Sequence, residues 1–307
     1  MKLTVSSSPH IRGTAKTSRI MVDVLISLIP AALAASWFFG LRALVVLAFC
    51  VLLCVGLEAL SRLVMKRENT VFDGSAAVTG ALLALTLPAD VPLHFAALGC
   101  AVAIVVVKQM FGGLGCNFVN PALTARIVML ISFPTAMTSS AQNLALPDGV
   151  TGATPLAGGE ASSLLDLFLG RVGGAMGEGC KIAILLGLAY LLVRRVISPV
   201  IPAFMVGTVA LFSLIVGESV GFQVLSGGLL FGAVFMATDY VTSPITLKGQ
   251  ALYAVGCGLL TVLIRLYANL PEGVSYAIVL MNIATPLIDR AFRARPYGSK
   301  ARKGGRA

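Results

Sequence analysis

The chain has 307 residues, of which 57% are apolar and only 12% charged, with a formal net charge of +10. Soluble domains carry about 25% charged residues, so a soluble globular enzyme is excluded. A mean hydropathy of +0.93 indicates one integral membrane domain with no room for a large soluble one. The basic residues lie in short stretches beside apolar runs, not on a polar face, which argues against nucleic acid as a partner and for membrane topology.

Residues 1–20 are polar and basic, unlike a secretory leader, and read as a retained cytoplasmic segment. Ten apolar runs follow, broken by Gly, Pro or charge: 21–39, 42–64, 74–88, 93–111, 119–133, 179–193, 199–216, 222–238, 250–268 and 274–291. The expected fold is an all-α integral membrane protein of about ten transmembrane helices, several of them short. The division is a first five-span repeat (1–133), an outer loop (134–177), a second five-span repeat (178–292) and a basic cytoplasmic tail (293–307). Lys66, Arg67, Arg194, Arg195, Lys248 and the tail fall on one side, whereas three opposite turns, PADVP, GESVG and NLPEG, hold no Lys or Arg. By the positive-inside rule both termini are cytoplasmic and residues 134–177 are outside. That long polar stretch, rich in Gly, Ser, Thr and Pro, is the first place to look for chemistry.

The sequence echoes itself. Asn117-Phe-Val-Asn-Pro-Ala-Leu123 has a counterpart in Asn282-Ile-Ala-Thr-Pro-Leu-Ile288, and Ser75-Ala-Ala has one in Ser226-Gly-Gly. An odd number of spans per repeat requires the halves to be inverted, and short, Pro- or Gly-interrupted spans in matching positions point to broken helices meeting near the midplane. Chance recurrence in Gly/Ala-rich spans is the competing explanation. Residues 117–121 and 282–286 are candidates for a crevice between the halves or, equally, for helix packing.

Six cysteines lie in or beside apolar segments without a CxxC pattern, and the histidines are His10 and His94, so neither a metal site nor a disulfide framework is expected. Cys50 and Cys54, one turn apart, read as packing residues. Arg126 is the most deeply placed charge, either an anion partner or one half of an ion pair. Glu58, Asp73, Asp239 and Asp289 fall toward cytoplasmic span ends; an ion-pathway role is open to Asp73 and Asp239, which border the small-residue segments of the echo, but interfacial placement outweighs it. Arg171 and Glu178 flank the outer loop.

Within that loop stands Asp148-Gly-Val-Thr-Gly-Ala-Thr154-Pro155. Small residues around a hydroxyl leave its oxygen accessible, Gly152 permits unusual backbone angles and Pro155 stiffens the exit. By itself this is a turn with an exposed threonine. It also resembles the acceptor motif Asp-x-x-Ser/Thr-Gly-Ala-Thr, whose last threonine receives FMN through a phosphodiester from a flavin transferase. With Gly112-Gly-Leu-Gly-Cys-Asn-Phe-Val-Asn-Pro-Ala122 and the opening Ser8-Pro-His-Ile-Arg12, the whole chain resembles the NqrB/RnfD family. That family comprises the D-type membrane subunits of Rnf complexes and the B-type ones of sodium-pumping NADH:quinone oxidoreductases.

The resemblance implies a membrane subunit of a redox-driven ion pump of the ferredoxin:NAD oxidoreductase type, coupling electron transfer to Na+ or H+ movement in a bacterial inner membrane. It implies covalent FMN on Thr154 and a recognition segment of Asp148, Thr151, Gly152 and Ala153, and it allows a second, non-covalent riboflavin. It further implies Rnf partners of the A, B, C, E and G type, a flavin transferase for maturation and surrounding lipid. No nucleotide-binding GxGxxG between a strand and a helix and no cysteine cluster is present, so NAD and iron-sulfur centres are assigned to partners. The competing reading is a urea-channel-like passive channel, for which the motif at 148–154 would have no use.

Overall fold

A computed structural model describes residues 16–68, 70–138, 163–268 and 273–293. The described residues are helical, with no strand among them. In chain order the helices are α1 Thr17–Phe39, α2 Leu41–Val64, α3 Ser75–Thr86, α4 Leu93–Ala101, α5 Pro121–Ser132, α6 Pro134–Thr138 and α7 Leu164–Leu169. They continue as α8 Lys181–Val193, α9 Val200–Val216, α10 Val220–Leu225, α11 Leu229–Phe231, α12 Leu247–Tyr267 and α13 Val274–Ala291. Two of them pass without a break into wider π-helical turns, α4 through Val102–Gln109 and α11 through Gly232–Met236.

Every one of the ten apolar runs contains helix, but only α1, α2 and α12 are, among the described residues, long and apolar enough to cross a membrane alone. The others are short or interrupted. The run 222–238 is split at Ser226–Gly228 between α10 and α11. Helical backbone satisfies its own N–H and C=O groups, which is why the apolar runs take this form in lipid; the breaks leave groups that other parts of the protein must satisfy.

Small residues bring the helices together. A Cβ at Gly80 of α3 would lie 2.7 Å from the Cys50 carbonyl oxygen of α2. One at Gly258 of α12 would lie 2.8 Å from the Met205 carbonyl oxygen of α9. Neither helix pair could approach so closely with any larger residue. Cys50 and Cys54 are fully buried in this packing, as the packing reading expected. α1 packs along α8, and α5 along α13. The stretch between α5 and α8 is not wholly a surface loop, because Ala175, Met176 and Glu178 are buried within the helical body.

Candidate functional site

A cavity of about 870 Å³, counting its open mouth, lies between α1, α3, the π-turns of α4, the entry to α5, the end of α8 and the segment after α11. Its wall is mostly apolar, with Ser75, Thr79, Asn117, Asn120 and Thr238 supplying uncharged polar groups and Lys108 and Asp239 the charged ones.

Lys108 and Gln109 are neighbours in sequence, yet both reach the same carboxylate. Lys108 Nζ lies 3.0 Å from Glu58 Oε2, and Gln109 Nε2 donates to Glu58 Oε1 at 2.7 Å. Consecutive residues on a regular α-helix do not face one partner; here both sit in the π-helical turns Val102–Gln109. Lys108 also donates to Ser75 Oγ at 2.6 Å, and that hydroxyl donates to Asp73 Oδ1 at 2.6 Å. Arg62 Nε stands 3.8 Å from Glu58 Oε1. Glu58 is 0% exposed, so the expectation of an interfacial carboxylate is corrected: its partners arrive from α2 and α4 and make burial tolerable. Lys108 and Gln109 escaped the sequence reading. The signal was a lysine inside the run Ala-Val-Ala-Ile-Val-Val-Val-Lys.

The two echoing segments meet. Asn120 caps α5, its Oδ1 accepting from the N–H groups of Ala122 and Leu123 at 3.0 and 3.3 Å, with Pro121 in the first turn where no N–H is needed. Its Nδ2 donates to the Met236 carbonyl at 3.2 Å, at the end of the second π-helical segment. Asn282 of α13 lies 2.7 Å from Tyr253 Oη. With its amide donating to Tyr253 Oη and the Ile278 carbonyl, its Oδ1 accepts from the Asn120 N–H at 3.2 Å. Pro286, inside α13, removes the N–H that would have bonded the Asn282 carbonyl. Asn117 and Asn120 line the cavity; Asn282 holds Asn120 from outside its wall.

Between α1 and α8, Asp23 accepts from Arg194 at 3.1 Å through both carboxylate oxygens, and from Tyr190 Oη at 3.0 Å. Arg126, the deepest charge in the sequence, pairs with Glu178 at 2.8 Å, with both side chains buried. This is the ion-pair alternative, and Glu178 is an interior residue, while Arg171 is exposed. Asp148, Thr151, Gly152, Ala153 and Thr154 lie outside the described residues.

Comparison with known proteins supplies the family. The model of the NQR2, RnfD, RnfE family matches residues 4–298. The chain is 49% identical to the D subunit of the Na+-translocating ferredoxin:NAD+ oxidoreductase complex of Acetobacterium woodii, over 100% of this chain and 99% of that protein. It is 40% identical to the D subunit of the proton-translocating ferredoxin:NAD+ oxidoreductase complex of Clostridium ljungdahlii, over 97% of this chain and 96% of that one. It is 39% identical to the D subunit of the ion-translocating oxidoreductase complex of Stutzerimonas stutzeri, over 92% and 93%. With nearly its full length matched by the family and by relatives at these identities, the chain belongs to the NQR2, RnfD, RnfE family.

Proposed function

We infer that this chain is the D-type membrane subunit of an ion-translocating ferredoxin:NAD+ oxidoreductase complex, acting with the other Rnf subunits as a redox-driven pump. The observation that carries this is the full-length identity of 49% to a relative that bears that name. A passive channel is the weaker reading for a chain with these relatives. Relatives move Na+ in one case and protons in another.

We propose further that FMN is joined through its phosphate to Thr154, with Asp148, Thr151, Gly152 and Ala153 forming the segment that a flavin transferase recognises. The unbroken match of 148–154 to the acceptor pattern supports this. Two inverted five-helix repeats in a bacterial inner membrane, both termini cytoplasmic, accommodate the packing of α1 on α8 and of α5 on α13. The same arrangement gives Lys108 and Arg265 matching places. Each closes the fourth span of its half onto the serine before the third, Lys108 on Ser75 Oγ and Arg265 on the Ser226 carbonyl at 3.2 Å.

The cavity suits a second, non-covalent flavin. A bound flavin supplies one- and two-electron transfer, and the protein supplies position and electrostatics. The apolar wall matches an isoalloxazine ring, and Asn117 and Thr79, each of which makes a single side-chain hydrogen bond here, match its polar edge. Among the described residues Lys108 is the only cation on the wall, and it is already engaged by Glu58 and Ser75. A phosphate there would lack a partner, so riboflavin fits better than FMN. A second centre within the protein would shorten the path across the roughly 30 Å hydrocarbon core between the inner chemistry and the outer flavin.

The test is Thr154→Ala in the complete complex. Covalent flavin should vanish from the denatured chain by fluorescence and mass, while acid-extractable flavin stays. A persisting FMN adduct would refute the attachment site, and absence of extractable flavin from the wild-type chain would refute the cavity assignment.

A further inference from the structure

Where α12 begins and α13 ends, a cleft of about 870 Å³, counting its open mouth, is lined by Ile245, Thr246, Asp289, Arg290 and Arg293. Arg290 stands in the last turn of α13 and Arg293 two residues past its end. Both are exposed, and among the described residues neither has an acceptor. Asp289 is the one carboxylate in the wall, and its Oδ1 accepts from the Ile245 N–H at 3.2 Å. Two guanidinium groups against one carboxylate leave the cleft with a net positive charge. Thr246 caps α12 by accepting from the Gly249 N–H at 3.2 Å. Other first-turn N–H groups keep no partner inside the helix, so the start of α12 adds the positive end of a 21-residue helix dipole.

Away from the cleft the surface turns apolar. Leu280, Ile283 and Leu287 are exposed on α13 at spacings of three and four residues, so they form one stripe whose next step is Arg290. From Leu280 to Arg290 the rise is about 15 Å at 1.5 Å per residue. Ile245 and Leu247, also exposed, carry the apolar surface onto the start of α12. A basic cleft at the foot of an apolar stripe complements the two parts of a phospholipid: the guanidinium fork suits phosphate oxygens, and the stripe suits an acyl chain.

Other cations near helix ends are used within the protein. Arg62 and Lys108 face Glu58, and Arg194 pairs with Asp23. An arginine in the last turn of a membrane helix is expected from the helix dipole and from topology alone. That explanation covers Arg290, but not the convergence of Arg290 and Arg293 on one cleft at the start of a second helix.

We propose that this cleft binds one anionic phospholipid, its phosphodiester held by Arg290, Arg293 and the start of α12, and its acyl chains lying on Leu280, Ile283 and Leu287. A zwitterionic lipid would bring a cation to a cleft that already has a surplus of positive charge, whereas an anionic lipid neutralises that surplus. The inference is independent of the flavin reading and invokes no redox step.

The experiment uses the complete complex in nanodiscs of phosphatidylethanolamine and phosphatidylglycerol, with a diazirine in the acyl chain of one lipid or the other. After irradiation, mass spectrometry counts cross-links at Leu280, Ile283 and Leu287, normalised to the lipid composition. In the wild type the phosphatidylglycerol probe should exceed the phosphatidylethanolamine probe by about fivefold, the scale of one basic residue beside an anionic lipid surface. Leu60, Leu63 and Val64 of α2, exposed beside Lys66 and Arg67, report the ordinary enrichment of anionic lipid near basic residues. Arg290→Gln/Arg293→Gln should bring the ratio on α13 down to that seen on α2. A wild-type ratio on α13 no greater than that on α2 overturns the proposal, as does a ratio that survives the double variant. Excess inorganic phosphate should leave the ratio unchanged; if it abolishes the preference, the cleft holds a free anion and the lipid assignment falls. If the double variant does not accumulate, Arg290→Gln and Arg293→Gln tested singly carry the same decision.

Discussion

Two buried carboxylates, Glu58 and Glu178, are held in opposite ways. Glu58 sits inside a long regular helix, and its partners must come to it: the π-helical turns of α4 deliver Lys108 and Gln109 to the same carboxylate. Glu178 sits in irregular chain and carries its own segment to its partner, Arg126, on a regular helix. In the first case regular structure is distorted to satisfy a charge; in the second a charge orders chain that has no regular structure of its own. The first network borders the cavity, and the second ties the chain before α8 to α5. The same chemistry therefore shapes a cavity wall in one place and anchors irregular chain in the other.

The largest expected effect tests the inner network. Lys108→Met removes the nearer of the two cations beside Glu58, which is 0% exposed and keeps Gln109 and Arg62, and breaking a buried pair on one side costs up to about 3–5 kcal/mol. Glu58→Gln/Lys108→Met, which removes both charges of the closest pair but leaves Arg62 without its carboxylate, should recover part of that loss. Reversible denaturant unfolding of the detergent-solubilised protein measures both; a single variant as stable as wild type would mean the network does not hold α2 to α4.

A middle effect is expected where the halves meet. Asn120→Ala removes the cap of α5 and the donor to Met236, worth about 1–2 kcal/mol for the cap. Asn120→Asp keeps the capping oxygen but loses the donor and sets a carboxylate oxygen against the Met236 carbonyl. If the two variants unfold alike, the link to Met236, not the cap, is what Asn120 supplies.

The smallest effect belongs to Arg194→Gln. The Arg194 side chain is 38% exposed, so loss of its pair with Asp23 should cost under about 1 kcal/mol and should shrink further as salt is raised. A loss as large as that of Lys108→Met would show that solvent does not screen the contact between α1 and α8.

The amino-acid sequence determined a good deal by itself. Helix at each of the ten apolar runs, and the weak, interrupted run at 222–238, follow from transfer free energy and from Pro and Gly, which act within a few residues. The echo between 117–121 and 282–286 located the residues that meet, because a Pro in a span frees a carbonyl and an Asn offers groups that must be satisfied. Only the tertiary structure decided who satisfies whom. Lys108 and Glu58 are 50 positions apart, Arg126 and Glu178 52, and Asn120 and Met236 116. Whether a buried charge becomes a cavity wall, a clamp or an interfacial residue depends on which helices pack together. That in turn depends on close approaches such as Gly80 on Cys50, and these are set by the whole assembly of helices, since no local pattern of charge or hydropathy encodes a contact between distant spans.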